Sequence, residues 1–242
     1  MNKLFKGILI VVALTTVNTM NAQNTTDKGK TLNPKQQHMI RIAAITAKGD
    51  LPVLESHLNA GLDAGLSINE IKETLVHLYA YCGFPRSLRG LQTFMKVLDE
   101  RKTRGIKDKQ GVEASPIKDE RSKYDRGKAV LEELSGVVEK GPKTGYAAFA
   151  PEIEVFLKEH LFADIFERDV LTYAERELVT ISVLSSIGGV EPMLRSHFNL
   201  CLHVGLTPQQ LQQFVGIIET TIGKEQAKAT QAALNEVVKN KQ

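Results

Sequence analysis

The strongest constraint on this chain is that it says the same thing twice. Residues Leu54 to Ile71 read LESHLNAGLDAGLSINEI, and Leu194 to Leu211 read LRSHFNLCLHVGLTPQQL. His57 aligns with His197, Asn59 with Asn199 and Gly65 with Gly205, each pair 140 positions apart (197 − 57). Upstream, MIRIA (Met39 to Ala43) aligns with LVTIS (Leu178 to Ser182) at an offset of 139, so the connection gains one residue. A repeat of this length is two copies of a small domain, not a solenoid.

Each copy reads as helical. Alternating β-branched runs flanking Asn-Gly or Asp-Gly turns are missing, while helix punctuation is dense. Asp50 caps a helix with Pro52 near its start, and Gly65 ends it in the left-handed conformation. Ser67-Ile68-Asn69-Glu70 is a capping box, repeated as Thr207-Pro208-Gln209-Gln210. Each unit is therefore expected to hold a helix, a helical hairpin and a further helix. The expected boundaries are 32–100 for the first unit, 101–123 for a charged linker and 124–235 for the second unit.

The first 22 residues read as a secretory signal peptide. Asn2 to Lys6 is basic, Gly7 to Val17 is apolar and too short to span a bilayer, and small and polar residues lead to Ala22. The chain is expected to be exported, to the periplasm or beyond, without a membrane association after cleavage. A net charge of +3, with acids and bases interspersed, gives no reason to expect nucleic acid. Two cysteines, Cys82 and Cys201, without a CxxC, exclude a disulfide framework but leave a single bond in an oxidising compartment open. No metal site is expected, because no ligand spacing compels one.

Polar residues in unexpected places supply the candidate site. In ETLVHLYAYCGFPRSLRGL, Ile71, Leu75, Leu78 and Cys82 share one helical face. Glu73, His77 and Tyr81 stack at four-residue spacing nearly opposite. That row faces either solvent or a second contact. Gly83 and Pro85 are expected to end the helix just beyond it. His57 and His197 each lie at the edge of an apolar stripe. Cys82 and Cys201 lie on apolar faces, where a thiol packs more readily than it reacts.

In order and spacing these features resemble the carboxymuconolactone decarboxylase family of the AhpD-like superfamily. The resemblance rests on LVTISVLSSIGGVEPMLRSHFNLCLHVGLTPQQL and SHLNAGLDAGLSINEIKETLVHLYAYCGFPRSL. It implies an all-α, AhpD-like fold, duplicated here, and a homo-oligomer, with a trimer favoured. It also implies a small-molecule substrate and no cofactor. Residue by residue, Glu73, His77, Tyr81, Gly83 and Pro85 match the motif Glu-x-x-x-His-x-x-x-Tyr-x-Gly-x-Pro. Arg176 and Glu177 match an Arg-Glu pair, and His57 and His197 the histidine of the next helix.

Each unit keeps half the set. The first has Gln37-His38 in place of Arg-Glu, and the second has Gln213 and Ile217 in place of the acid and later histidine. The expected catalytic residues are His57, Glu73, His77, Tyr81, Glu177 and His197. Arg176, Cys82 and Cys201 are the expected substrate contacts. The implied activity is acid/base chemistry on a small lactone or carboxylate. Peroxiredoxin-like activity and ligand binding without turnover are the alternatives.

Overall fold

A computed structural model describes residues 31–239; the expected signal peptide lies outside them. All regular structure among the described residues is helical. The first unit comprises α1 (Pro34–Lys48), α2 (Leu51–Asp63), α3 (Ile68–His77) and α4 (Tyr79–Thr103). Next come α5 (Lys123–Ser135), α6 (Gly145–Phe149) and α7 (Pro151–Phe156), which runs into a π-helical segment, Leu157–Phe166. Then α8 (Tyr173–Ile187), α9 (Glu191–His203), α10 (Pro208–Ile222) and α11 (Lys224–Lys239) repeat the order of α1 to α4.

The capping boxes form as read: Ser67 with Glu70 opens α3, and Thr207 with Gln210 opens α10. Two more, Asn33 with Gln36 and Thr172 with Glu175, open α1 and α8. Asp50 caps α2 through the Val53 N–H. Gly65 turns the chain out of α2 at φ +93°, and the Leu66 N–H closes back on the Gly61 carbonyl at 3.0 Å. Gly205 and Leu206 repeat this on Cys201 at 2.9 Å. Each hairpin is thus set by a left-handed glycine followed immediately by a capping box.

The expected helix end at Gly83 is instead a kink. Gly83 leaves helical geometry (φ 81°, ψ 160°), and helix resumes to Thr103. Pro85 lies in the first turn after the break, where a missing N–H costs nothing. The Ser87 hydroxyl donates to the Leu75 carbonyl at 2.7 Å and ties the new segment to α3.

Helices α1 and α8 pack on each other at the centre, with α10 against α1 and with α3 and α4 against α8. The two units therefore do not keep separate cores. Ile40 and Ala44 of α1 pack among Leu178, Phe198 and Phe214, while Val179 and Val183 of α8 pack among Ile42, Leu58 and Leu75. An unbroken run of α8, Arg176 to Ser186, is buried, as expected of a helix covered on every side. The segment expected as a linker carries no helix from Ile106 to Arg121, yet it is bonded to the first unit. Ile68 and Asn69 donate backbone N–H groups to the Lys109 and Gln110 carbonyls, both at 2.9 Å. Beyond it, α5 lies along the π-helical segment at Gly127, where an added Cβ would meet the Lys158 carbonyl oxygen at 1.8 Å.

Candidate functional site

Helix α3 ends with Glu73 and His77 one turn apart, and Tyr81 follows in the first turn of α4. Periodicity alone left this face open to solvent or to a second contact. The structure covers it with α8 and the end of the π-helical segment, so Glu73 and His77 are both buried. Opposite them α8 presents Arg176, Glu177 and Thr180, each fully buried.

Glu73 holds two guanidinium groups. Arg168 binds it through Nε at 2.9 and 3.1 Å and through Nη2 at 3.0 Å. Arg176 donates from Nη2 to its Oε1 at 2.8 Å. The same Nη2 donates to the Arg168 carbonyl, which seats the loop before α8. Arg176 Nη1 lies 3.2 Å from His77 Nδ1. A guanidinium only donates, so Nδ1 accepts and Nε2 carries the imidazole proton. That Nε2–H donates to the Thr180 hydroxyl at 2.9 Å. Burial, and then the Arg176 charge, hold the His77 pKa well below the usual imidazole range.

The second half of the site comes from the other unit. His197, on α9, donates from Nδ1 to Glu177 Oε2 at 2.8 Å. The Glu177 side chain is wholly buried, and that of His197 is 15% exposed. Tyr81 joins the halves. Its ring centroid lies 5.5 Å from that of His77 and 5.7 Å from that of His197. Burial and the Glu177 carboxylate push the phenol up, with Thr180 nearby offsetting part of the rise. The Tyr81 hydroxyl nonetheless makes no hydrogen bond of normal geometry. Phe166, at the end of the π-helical segment, closes the site edge-on to His77 at 5.0 Å.

Three buried polar atoms here have no partner in the protein: Tyr81 Oη, Arg176 Nε and Glu177 Oε1. A buried donor or acceptor left unpaired costs about 1–3 kcal/mol. Three in one cluster mark a place that a polar ligand would satisfy.

Not every expected residue joins. His57 stands apart on α2, beside His38 and Arg41. Cys201 lies in the core one turn beyond His197, and burial drives its thiol pKa well above the ordinary value. Cys82 is half-buried, donates to the Leu78 carbonyl at 3.2 Å and is pushed up to about 11, mainly by burial. Arg168, Thr180 and Phe166 were not anticipated. Arg168 lies in a loop 95 residues from Glu73 and has no sequence signal. Thr180 could have been found, since it lies one turn after Arg176 on the same α8 stripe.

Two surface clefts lie elsewhere. One, of about 730 Å³, is lined by Asn59, Asp63, Arg101 and Arg104; the other, of about 490 Å³, by Arg126, Glu167 and Tyr173 among others. Each holds an ion pair already made within the protein, Arg101 with Asp63 and Arg126 with Glu167. Unsatisfied chemistry is concentrated in the buried cluster instead.

The fold and site together define a duplicated all-helical protein whose single chain brings two carboxylates, two guanidinium groups and two imidazoles to one place between its repeats. The family model for the carboxymuconolactone decarboxylase family matches residues 13–94 and 151–236. The chain belongs to that family. It is also similar to the uncharacterized protein MJ1511 of Methanocaldococcus jannaschii, 25% identical over 77 residues. That stretch covers 32% of this chain and 72% of the relative.

Proposed function

We propose that the composite cluster carries out acid/base chemistry on a small lactone or related carboxylate, by loss of CO₂. The three unpartnered atoms around Tyr81 are the observation that supports this most. His197 is the proton carrier in this reading. Glu177 fixes the proton on Nδ1, so Nε2 is the nitrogen that exchanges a proton with substrate. His77 is less suited to that task, because Arg176 and Thr180 occupy both of its nitrogens.

When CO₂ departs, the broken bond leaves its electron pair on the substrate as an enolate-like charge. A proton from the His197 imidazolium, returned later from water, completes the exchange of a carboxylate for hydrogen. The Tyr81 phenol, kept neutral by its raised pKa, is a donor for the developing oxyanion. Arg176 Nε–H is free to hold a substrate carboxylate. Glu73 and Arg168 act on that guanidinium and position it. A thiol peroxidase is less well supported: Cys201 is buried, and a dithiol cycle needs an attacking and a resolving thiol close together.

The test is CO₂ release from carboxymuconolactone by the purified chain. His197→Gln should lower turnover by about 10²–10⁴-fold, the usual worth of a positioned acid/base group. Release that survives His197→Gln and Glu177→Gln unchanged would remove the assignment. Saturable binding of the lactone without release would favour the non-catalytic alternative.

A further inference from the structure

The duplication creates a second location, related to the first by the internal repeat. Gln37, His38 and Arg41 on α1 stand where α8 has Arg176, Glu177 and Thr180. His57 and Gly61 on α2 stand for His197 and Cys201, and Gln213, Ile217 and Thr221 on α10 for Glu73, His77 and Tyr81. The packing is repeated too, since α10 lies on α1 as α3 lies on α8.

The chemistry is inverted. Both carboxylate positions are lost, to Gln213 and His38, and a guanidinium is gained at Arg41. Arg41 Nη1 donates to the hydroxyls of Thr220 and Thr221 at 3.2 and 3.0 Å, so its partners are neutral. His38 lies against Gly61, where an added Cβ would come within 3.7 Å of the His38 Cβ. His38 Nδ1 is buried without a partner. His57, one turn before Gly61, lies on the same side of α2. The two glutamines are withdrawn. Gln37 Nε2 donates to the Leu32 carbonyl at 2.9 Å, and the Leu32 N–H donates to Gln213 Oε1 at 2.7 Å.

We propose that this second location binds a small oxyanion, a carboxylate or a phosphate, between the Arg41 guanidinium and the imidazoles of His38 and His57. Three basic groups gathered without an acid disfavour one another's charged forms, and an anion among them would offset that cost with charge-assisted hydrogen bonds. Burial, and then the Arg41 charge, hold both imidazoles below their usual pKa. A bound anion would restore their protons, so binding should tighten as pH falls. The nearby acids do not offset this. Glu55, on α2, is engaged by Lys96 at 2.8 Å, and Glu219, on α10, is exposed.

Imidazole NMR resonances of the full chain, at about pH 6.5 near the ordinary histidine pKa, provide the test. Inorganic phosphate and acetate are titrated separately at constant ionic strength. His38 and His57 should shift together and saturate with at least one anion, while His77 stays still. Saturation with only one of them identifies which oxyanion the site takes. Arg41→Gln should weaken binding by roughly tenfold or more, the loss of a charge-assisted bond. His57→Gln leaves the bridge from Arg41 to α10 intact and should weaken the His38 response. A linear, unsaturable response to both anions would overturn the proposal, as would saturation unchanged in both variants.

Discussion

Substituting Glu73→Gln tests whether the buried ion cluster is organised as described. The change keeps the side-chain shape and removes one charge. Arg176 is fully buried, so its guanidinium would be left without its carboxylate. Breaking a buried pair from one side costs about 3–5 kcal/mol, because the remaining charge stays desolvated. That is a large share of the ~5–15 kcal/mol that holds a domain together. Arg168 is the internal control. It binds the same carboxylate, but its side chain is 42% exposed, so Arg168→Gln should cost no more than about 1 kcal/mol. Urea unfolding followed by circular dichroism at constant pH reads both. A double variant, Glu73→Gln with Arg176→Met, removes the stranded charge and should recover part of the loss. A Glu73→Gln protein within about 1 kcal/mol of the parent, or a loss equal to that of Arg168→Gln, would refute the reasoning.

Three further outcomes are expected. The neutral, buried His77 has a folded pKa below its unfolded value of about 6.5. Its contribution is present above that value and lost as pH falls below it, because the unfolded chain takes up the proton first. Urea midpoints measured downward from about pH 7 should therefore fall less steeply in His77→Asn than in the parent. Both thiols should resist a disulfide reagent in the native protein, Cys201 more than Cys82, and both should react on unfolding; rapid labelling of native Cys201 would contradict its placement in the core. Gly127→Ala puts a methyl group into the Lys158 carbonyl and should cost about 1–3 kcal/mol as α5 is forced off the π-helical segment. Thermal melting of that variant checks the contact.

Much of the fold was legible because its signals are local. Ser67 with Glu70 and Thr207 with Gln210 satisfy their own helix ends within four residues, and the repeat reports the order of the helices. Burial around the site was not legible in the same way. Glu73, His77 and Tyr81 lie opposite the apolar stripe of their own helix, and what covers them is α8, about a hundred residues away. Periodicity describes one helix, and a face that meets a buried arginine reads as a solvent face. The kink at Gly83 failed for a different reason. A Gly and a Pro two residues apart announce a break, but not whether the helix resumes. The π-helical segment, LKEHLFADIF, carries no signal that separates it from an α-helix.

In an assembly of two identical small chains, every substitution is made twice, and both inter-chain sites change together. Joining the copies in one chain removes that restriction. Glu177 can stay acidic while its counterpart becomes His38, and Cys201 can stay while its counterpart becomes Gly61. The same covalent link fixes the genetics of the site. Glu73 and Glu177 belong to one polypeptide, so mixing chains damaged at Glu73 with chains damaged at Glu177 should restore nothing, whatever the number of chains in the assembly.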